Sequence, residues 1–378
     1  MKIKTFFLIS VIVIFALFIV LKVGNQPKDP MVDTITDTTK DNHYGDTLQI
    51  QEKRNALYEF IVSKLSGSYG IYTNYLDSDQ NLNMATGHEV LSESEGLMLR
   101  YYAMTRQQDA FDKEWALVEH NLNLSSGFSY RYSPKLNKRY MLNAAVDDLR
   151  IIRALYEAGV VFEDPQYTEK ANQYGTRFYE NNVKDGYLYD FYDEKYKVRN
   201  AFITLCYINL TTLEQLPLSS DRIQQISTNM LEIIQNGYLS DSFPLYETRY
   251  QYETNSYSSE NINTVESLLT ILSLAEVKQQ SPSSIRYLKE HVKKGTLYGQ
   301  YTREGTPTND IQSTAIYAIT SMIGSQIGDK ELYEDSIRRM SQYQIEDTYS
   351  HIYGSFGDIK TETVYSFDNL MALLAFTY

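Results

Sequence analysis

A chain of 378 residues with a formal net charge of −13 is a poor partner for nucleic acid, because phosphate neutralisation needs a basic surface. The same acidity disfavours a strongly anionic substrate, and a neutral or amino-bearing polymer fits it better. A 43% hydrophobic fraction is enough for a sizeable core, and the single cysteine, Cys206, excludes an intrachain disulfide.

In chain order, residues Phe6 to Leu21 form an uninterrupted apolar run flanked by Lys2, Lys4 and Lys22. The run is slightly short for a bilayer, but its basic flank and the lack of a small-x-small cleavage site predict a signal-anchor over residues 1–23, with a cleaved signal peptide as the competitor. No cysteine lies near its end, which speaks against a lipid-modified N-terminus. Residues 24–49 are polar, rich in Asp and Thr and without periodicity, and read as a flexible tether to a domain over 50–378.

From residue 50 onward two kinds of helix alternate. Segments 51–65, 108–121, 165–181, 219–236, 282–294 and 330–346 have one-sided apolar stripes, as in Ile223, Ile226, Met230, Ile233 and Ile234, and read as outer helices. Segments 93–105, 144–158, 200–213, 263–277, 311–323 and 366–376 are apolar round most of their circumference and read as inner helices, with Cys206 inside the third. Each outer-to-inner link is long and carries a Gly/Tyr stretch, such as Gly70-Ile71-Tyr72, Gly127-Phe128-Ser129-Tyr130 or Gly186-Tyr187-Leu188-Tyr189. The unit recurs about every 56 residues, the scale of stacked supersecondary repeats. No unit can bury its helix alone, but a ring of six shares one core. The expected fold is therefore all-α, an (α/α)6 toroid, with its long loops and acidic helix starts at one mouth.

Two features of that mouth carry chemistry. Tyrosines alternate with polar residues along the loops, and a Tyr ring can stack on a sugar while its hydroxyl bonds the substituents; Tyr130, Tyr189, Tyr246 and Tyr298 are the candidates. Period-2 tyrosines also simply build small loop sheets. The second feature is a set of carboxylates at inner-helix starts. Aligned by their apolar runs, Glu95, Asp148, Glu266 and Asp368 take equivalent positions, with Asp147 beside them. Acidic residues there also complement a helix dipole, which is a sufficient account of Glu93 or Glu95 taken alone. Gathered in a partly dry cleft, carboxylates push one another's pKa values apart, which is the pairing of acid and base that glycoside hydrolysis needs. The histidines (His43, His88, His120, His291 and His351) are scattered, and no zinc set, phosphate loop or nucleophile elbow is present, so no metal or cofactor is implied.

At Ser94-Glu95-Gly96 the chain resembles glycoside hydrolase family 8, whose general acid lies in a Ser-Glu-Gly motif opening the second helix of an (α/α)6 barrel. Residues 146–155 and 262–269 resemble its branch from Gram-positive exopolysaccharide operons. The resemblance runs from about residue 50 to the C-terminus and implies an inverting endo-glycosidase on a secreted polysaccharide, held outside the cell membrane as a monomer. It implies Glu95 as the acid and Asp147 or Asp148 as a sugar-orienting aspartate. The family's base, an aspartate followed by Arg and Trp-Arg at the start of the eighth helix, has no counterpart. Glu266 is the nearest carboxylate, with Asp148 second, and Glu260 and Glu253 lie on the preceding loop. The only tryptophan, Trp115, falls on an outer helix, so tyrosines would have to form the sugar platforms. Two rivals remain: a polysaccharide-binding or assembly protein on the same fold, and a lyase, which would want basic residues and a Tyr/His pair.

Overall fold

Helix starts follow the local chemistry of capping. Asp164, Ser281 and Asp329 each accept a backbone N–H from the first turn of the helix they precede, and Pro165 and Pro282 occupy first positions where no N–H is needed. The computed structural model describes residues 44–48, 50–78 and 84–378. Its outer helices are α1 (Ile50–Phe60), which continues as a π-helical turn, α3 (Gln108–Asn121), α5 (Pro165–Asn182), α7 (Ser220–Asn236), α9 (Pro282–Lys294) and α11 (Lys330–Ser341). The inner helices are α2 (Ser92–Met104), α4 (Ala145–Val161), α6 (Leu210–Gln215), α8 (Thr264–Glu276), α10 (Thr314–Ile327) and α12 (Ser366–Ala375).

The inner helices pack in chain order, α2 on α4, then α6, α8, α10 and α12, and α12 returns to α2, closing the ring. Their burial explains their all-round apolarity: every residue from Thr314 to Ser325 of α10 is buried. Backbone bonds join the first loop to the last, where Asn74 bridges Tyr365 and Tyr75 donates to the Val364 carbonyl at 2.9 Å, and the Ser94 hydroxyl of α2 donates to Ser366 Oγ of α12 at 2.8 Å. The Gly/Tyr links fold into two- and three-stranded antiparallel sheets, for example Phe202–Thr204 with Arg249–Gln251 and Ser256–Ser258.

The third inner helix is far shorter than its apolar run predicts. Ile203 and Thr204, both β-branched, join a sheet, Asp190 accepts from Thr204 N and Oγ1, and Leu205–Tyr207 make a 3-10 turn. The helix begins only after Asn209 caps Thr212 N, and Leu216 turns extended before Pro217. Cys206 consequently sits in the turn, half-buried, and not in a helix.

All inner helices start at one end of the ring, the mouth. At the other end a buried network closes the axis: Arg100 bonds Glu157 through Nε and Nη2 (3.0 and 2.8 Å), and Arg153 bonds Glu157 (2.9 Å) and both oxygens of Glu276 (2.8 Å each). Burial works to raise the Glu157 pKa, but the two guanidiniums outweigh it and hold the carboxyl below its ordinary value.

The predicted anchor lies outside the described residues. No helix among those described is long and apolar enough to cross a membrane. Of the predicted tether, Tyr44 is docked: its hydroxyl donates to Gly328 O at 3.2 Å and its ring lies 5.8 Å from that of Tyr333.

Candidate active site

The fourth residue of each of four inner helices turns away from the mouth and holds a loop. Glu95 accepts the Ile71 N–H at 2.8 Å, Asp148 that of Phe128 at 3.2 Å, Ser267 that of Tyr246 at 2.9 Å and Asn369 that of Phe356 at 2.8 Å. This explains two of the repeat's glycines. A Cβ on Gly70 would lie 2.4 Å from Glu95 Oε1, and one on Gly127 2.2 Å from Asp148 Oδ2, so only glycine lets the loop come close enough to be held.

Glu95 and Asp148, read as acid and as alternative base, are therefore placed in the wall between inner and outer helices. Glu95 is 1% exposed, and its carboxyl lies against that of Glu114 on α3; burial and that neighbour hold its pKa well above the usual range. Asp148 is fully buried, also bonded by Asn143 Nδ2 at 2.8 Å, and likewise raised by burial. The alignment by apolar runs also hid a register difference: Glu95 and Asp148 are fourth in their helices, whereas Glu266 and Asp368 are third. One residue is about 100° of rotation, which separates wall from mouth.

The residues that the mouth brings together are Glu93, Asp147, Arg150 and Asp368. Asp147 accepts from Ser92 Oγ at 2.9 Å and from Arg150 Nη1 at 2.8 Å. The same nitrogen is 3.5 Å from Glu93 Oε2. Asp368 accepts the Ala315 N–H at 3.0 Å, and burial raises its pKa. Glu93 is pushed up to about 7, chiefly by burial, with Arg150 opposing and the charges of Asp147 and Asp368 adding. Asp147 is raised by burial while Arg150 and Ser92 pull the other way. Glu93 and Asp147 thus share one guanidinium with Asp368 close by, and Glu93, with 30% of its side chain open to solvent, holds a proton close to neutrality.

Across the ring, Glu266 is half-buried beside Arg249 and Thr248, raised by burial and restrained by both. It borders an open pocket of 590 Å³ with Asn263, Gln300 and Arg303. Asp190, whose carboxylate also feels Arg249 and Glu266, is raised by burial to about 6. Tyr207 stands near Asp147, Arg150 and Asp190, its hydroxyl pushed up by burial.

Of the tyrosines, Tyr130 is half-buried, its carbonyl bonded by Ser92 N at 3.2 Å, which places it beside Glu93. Tyr189, with its ring 4.7 Å from that of Tyr252, and Tyr298 are also half-buried. Tyr246 does not offer its ring to a sugar: it is 4% exposed and packed on Tyr238 in the wall. Sequence reasoning read Glu93 only as a helix-dipole partner and passed over Arg150, Asp190 and Tyr207. Only Arg150 left a usable trace, three residues after Asp147 on the same helix face. Among the described residues no cluster of His, Cys, Asp and Glu could hold a metal ion.

No family model matches the chain. A solved structure described as a novel alpha-amylase from Clostridium perfringens is 35% identical, with a TM-score of 0.81 over 86% of this chain and 97% of that one. PssZ from Listeria monocytogenes is 19% identical, with a TM-score of 0.66 over 85% and 94%. A cold-adapted family 8 xylanase is 10% identical, with a TM-score of 0.64 over 88% and 92%. In sequence, the putative lipoprotein YdaJ of Bacillus subtilis is 25% identical over 320 residues, 81% of this chain and 84% of that protein.

Proposed function

The chain belongs to the family-8-like glycoside hydrolases of the PssZ and YdaJ type, and from that premise we propose that it cuts a neutral polysaccharide outside the cell by acid–base hydrolysis. The observation that carries the reading is the cluster on the first turns of α2 and α4, where Glu93, Asp147 and Arg150 meet at the mouth. Glu93 is the general acid: a carboxyl with a pKa near 7 keeps its proton at working pH and can give it to the glycosidic oxygen. It takes the role that the Ser-Glu-Gly resemblance gave to Glu95.

Asp147, fixed by Ser92 and Arg150, orients the sugar. Glu266 is the base. Helix α8 stands opposite α2 in a ring of six, an arrangement that favours reading the two carboxylates as acting from opposite sides of a bound glycan, as inversion requires. Tyr130, Tyr189 and Tyr298 line the approach. The 35% identity to a structure described as an alpha-amylase makes a starch-type α-glucan the first substrate to test, and the cell's own exopolysaccharide, implied by the operon branch, the second. Anchoring would run through residues 6–21, since the sole cysteine is Cys206.

The full chain should shorten one of these polymers and release product of inverted anomeric configuration, read by proton NMR within the first turnovers. Binding without shortening returns the chain to the binding or assembly reading. An unsaturated uronate at the new end would make it a lyase.

A further inference from the structure

In the wall between α2 and α3 two carboxyls meet. Glu95 Oε1 accepts the Ile71 N–H at 2.8 Å, but Glu95 Oε2 and Glu114 Oε1 are both buried with no donor among the protein's N–H and O–H groups. The two side chains hydrogen-bond each other, and burial raises both. Ionised carboxylates accept and cannot donate, so such a contact closes only around a proton. Among the described residues no cation acts on either carboxyl. Tyr102 of α2 faces the pair, its hydroxyl pushed up by burial, and Tyr58 of α1 lies behind it. Arg106, Asp109 and Lys113 border an open pocket outside Glu114, and Lys64 of the π-helical turn is exposed. Asp148 holds its own loop differently, because each of its oxygens accepts an N–H, from Phe128 and from Asn143.

We infer that Glu95 and Glu114 share one proton, and that this proton latches the hairpin of residues 66–71 to the wall until alkaline conditions remove it. The hairpin pairs Ser66 with Ile71 and Gly67 with Gly70, and Asn121 of α3 holds it a second time by bonding the Tyr69 carbonyl at 2.8 Å. The next residue, Tyr72, bridges Val90 just ahead of α2, so the latch also steadies the turn that carries Glu93. The pocket beside Glu114 gives solvent a route to the pair from outside the ring. With the proton gone, two buried like charges repel in surroundings that screen them poorly. Both groups are raised in the fold, so their contribution to stability is fully present below the ordinary carboxyl value of 4.5 and is lost as pH rises through the raised values. The latch serves the fold and stands apart from the proposed hydrolysis, so its test needs no substrate.

Thermal unfolding of the full chain between about pH 8 and 10, above the range in which Glu93 titrates, tests the latch. The wild type should lose about 2–4 °C more of Tm per pH unit than Glu114→Gln, whose amide donates to Glu95 and has no proton to give up. Hydrogen exchange of the unsubstituted chain gives a second reading. Over the same range residues 66–72 should lose protection about tenfold beyond residues 122–130, where Asp148 is the holder. Parallel Tm slopes in the two proteins, or protection that falls equally in the two segments, would overturn the latch.

Discussion

The two ends of the ring bury the same kinds of group in different proportion. At the closed end Arg100 and Arg153 face Glu157 and Glu276, one guanidinium for each carboxylate, and Glu157 is held ionised below its ordinary pKa. At the mouth Glu93 and Asp147 share Arg150, the charge of Asp368 adds to theirs, and Glu93 rises to about 7. The guanidiniums around Glu157 outweigh its burial and make it a strut, whereas around Glu93 burial and two neighbouring carboxylates outweigh the one guanidinium and keep a proton on it.

The comparison is broken most sharply by removing the proton. Glu93→Gln should lower kcat about 10³-fold with Tm nearly unchanged, while Glu95→Gln should leave most of the activity; steady-state rates beside thermal melts check both. At the closed end Glu157→Gln leaves two guanidiniums short of a partner and should cost about 3–5 kcal/mol in urea unfolding, with activity retained per folded molecule. The wall is the intermediate case. Gly127→Ala drives a Cβ into Asp148 and should cost about 1–3 kcal/mol by the same assay.

The smallest effect is in the pH dependence of stability. Glu93 is raised in the fold, so its contribution is fully present below the ordinary carboxyl value of 4.5 and is lost as pH rises to about 7. Glu157 is lowered, so its contribution is present above 4.5 and is lost as pH falls through the folded value. Unfolding free energies between pH 4 and 8 should show Glu93→Gln flattening the neutral side and leaving the acid side unchanged.

Much of this architecture was legible in advance. Outer helices α3 and α9 fall where their stripes put them, because one-sided apolarity acts locally, and in α9 the Ser281 cap and Pro282 mark the start as well. Residues 200–209 were misjudged because an apolar run of that length suits a helix or a strand, and pairing with Arg249–Gln251, distant in sequence, made the choice. At the site, the spacing of Glu95 and Asp148 after the Gly/Tyr stretches was a real signal with another cause: these carboxylates hold the loops that the glycines allow close. Glu93 looked like an ordinary dipole partner, since nothing in its neighbours along the chain announces Arg150 or Asp368.

The docking of Tyr44 beside Gly328 has a practical corollary. Gly328 follows the last turn of α10, and Ser325 Oγ near it bonds the Tyr378 carbonyl at 2.8 Å, so the folded unit's entry and exit points share the end that lacks the mouth. Immobilising the domain on a bead or electrode through either point would leave the mouth pointing into bulk liquid.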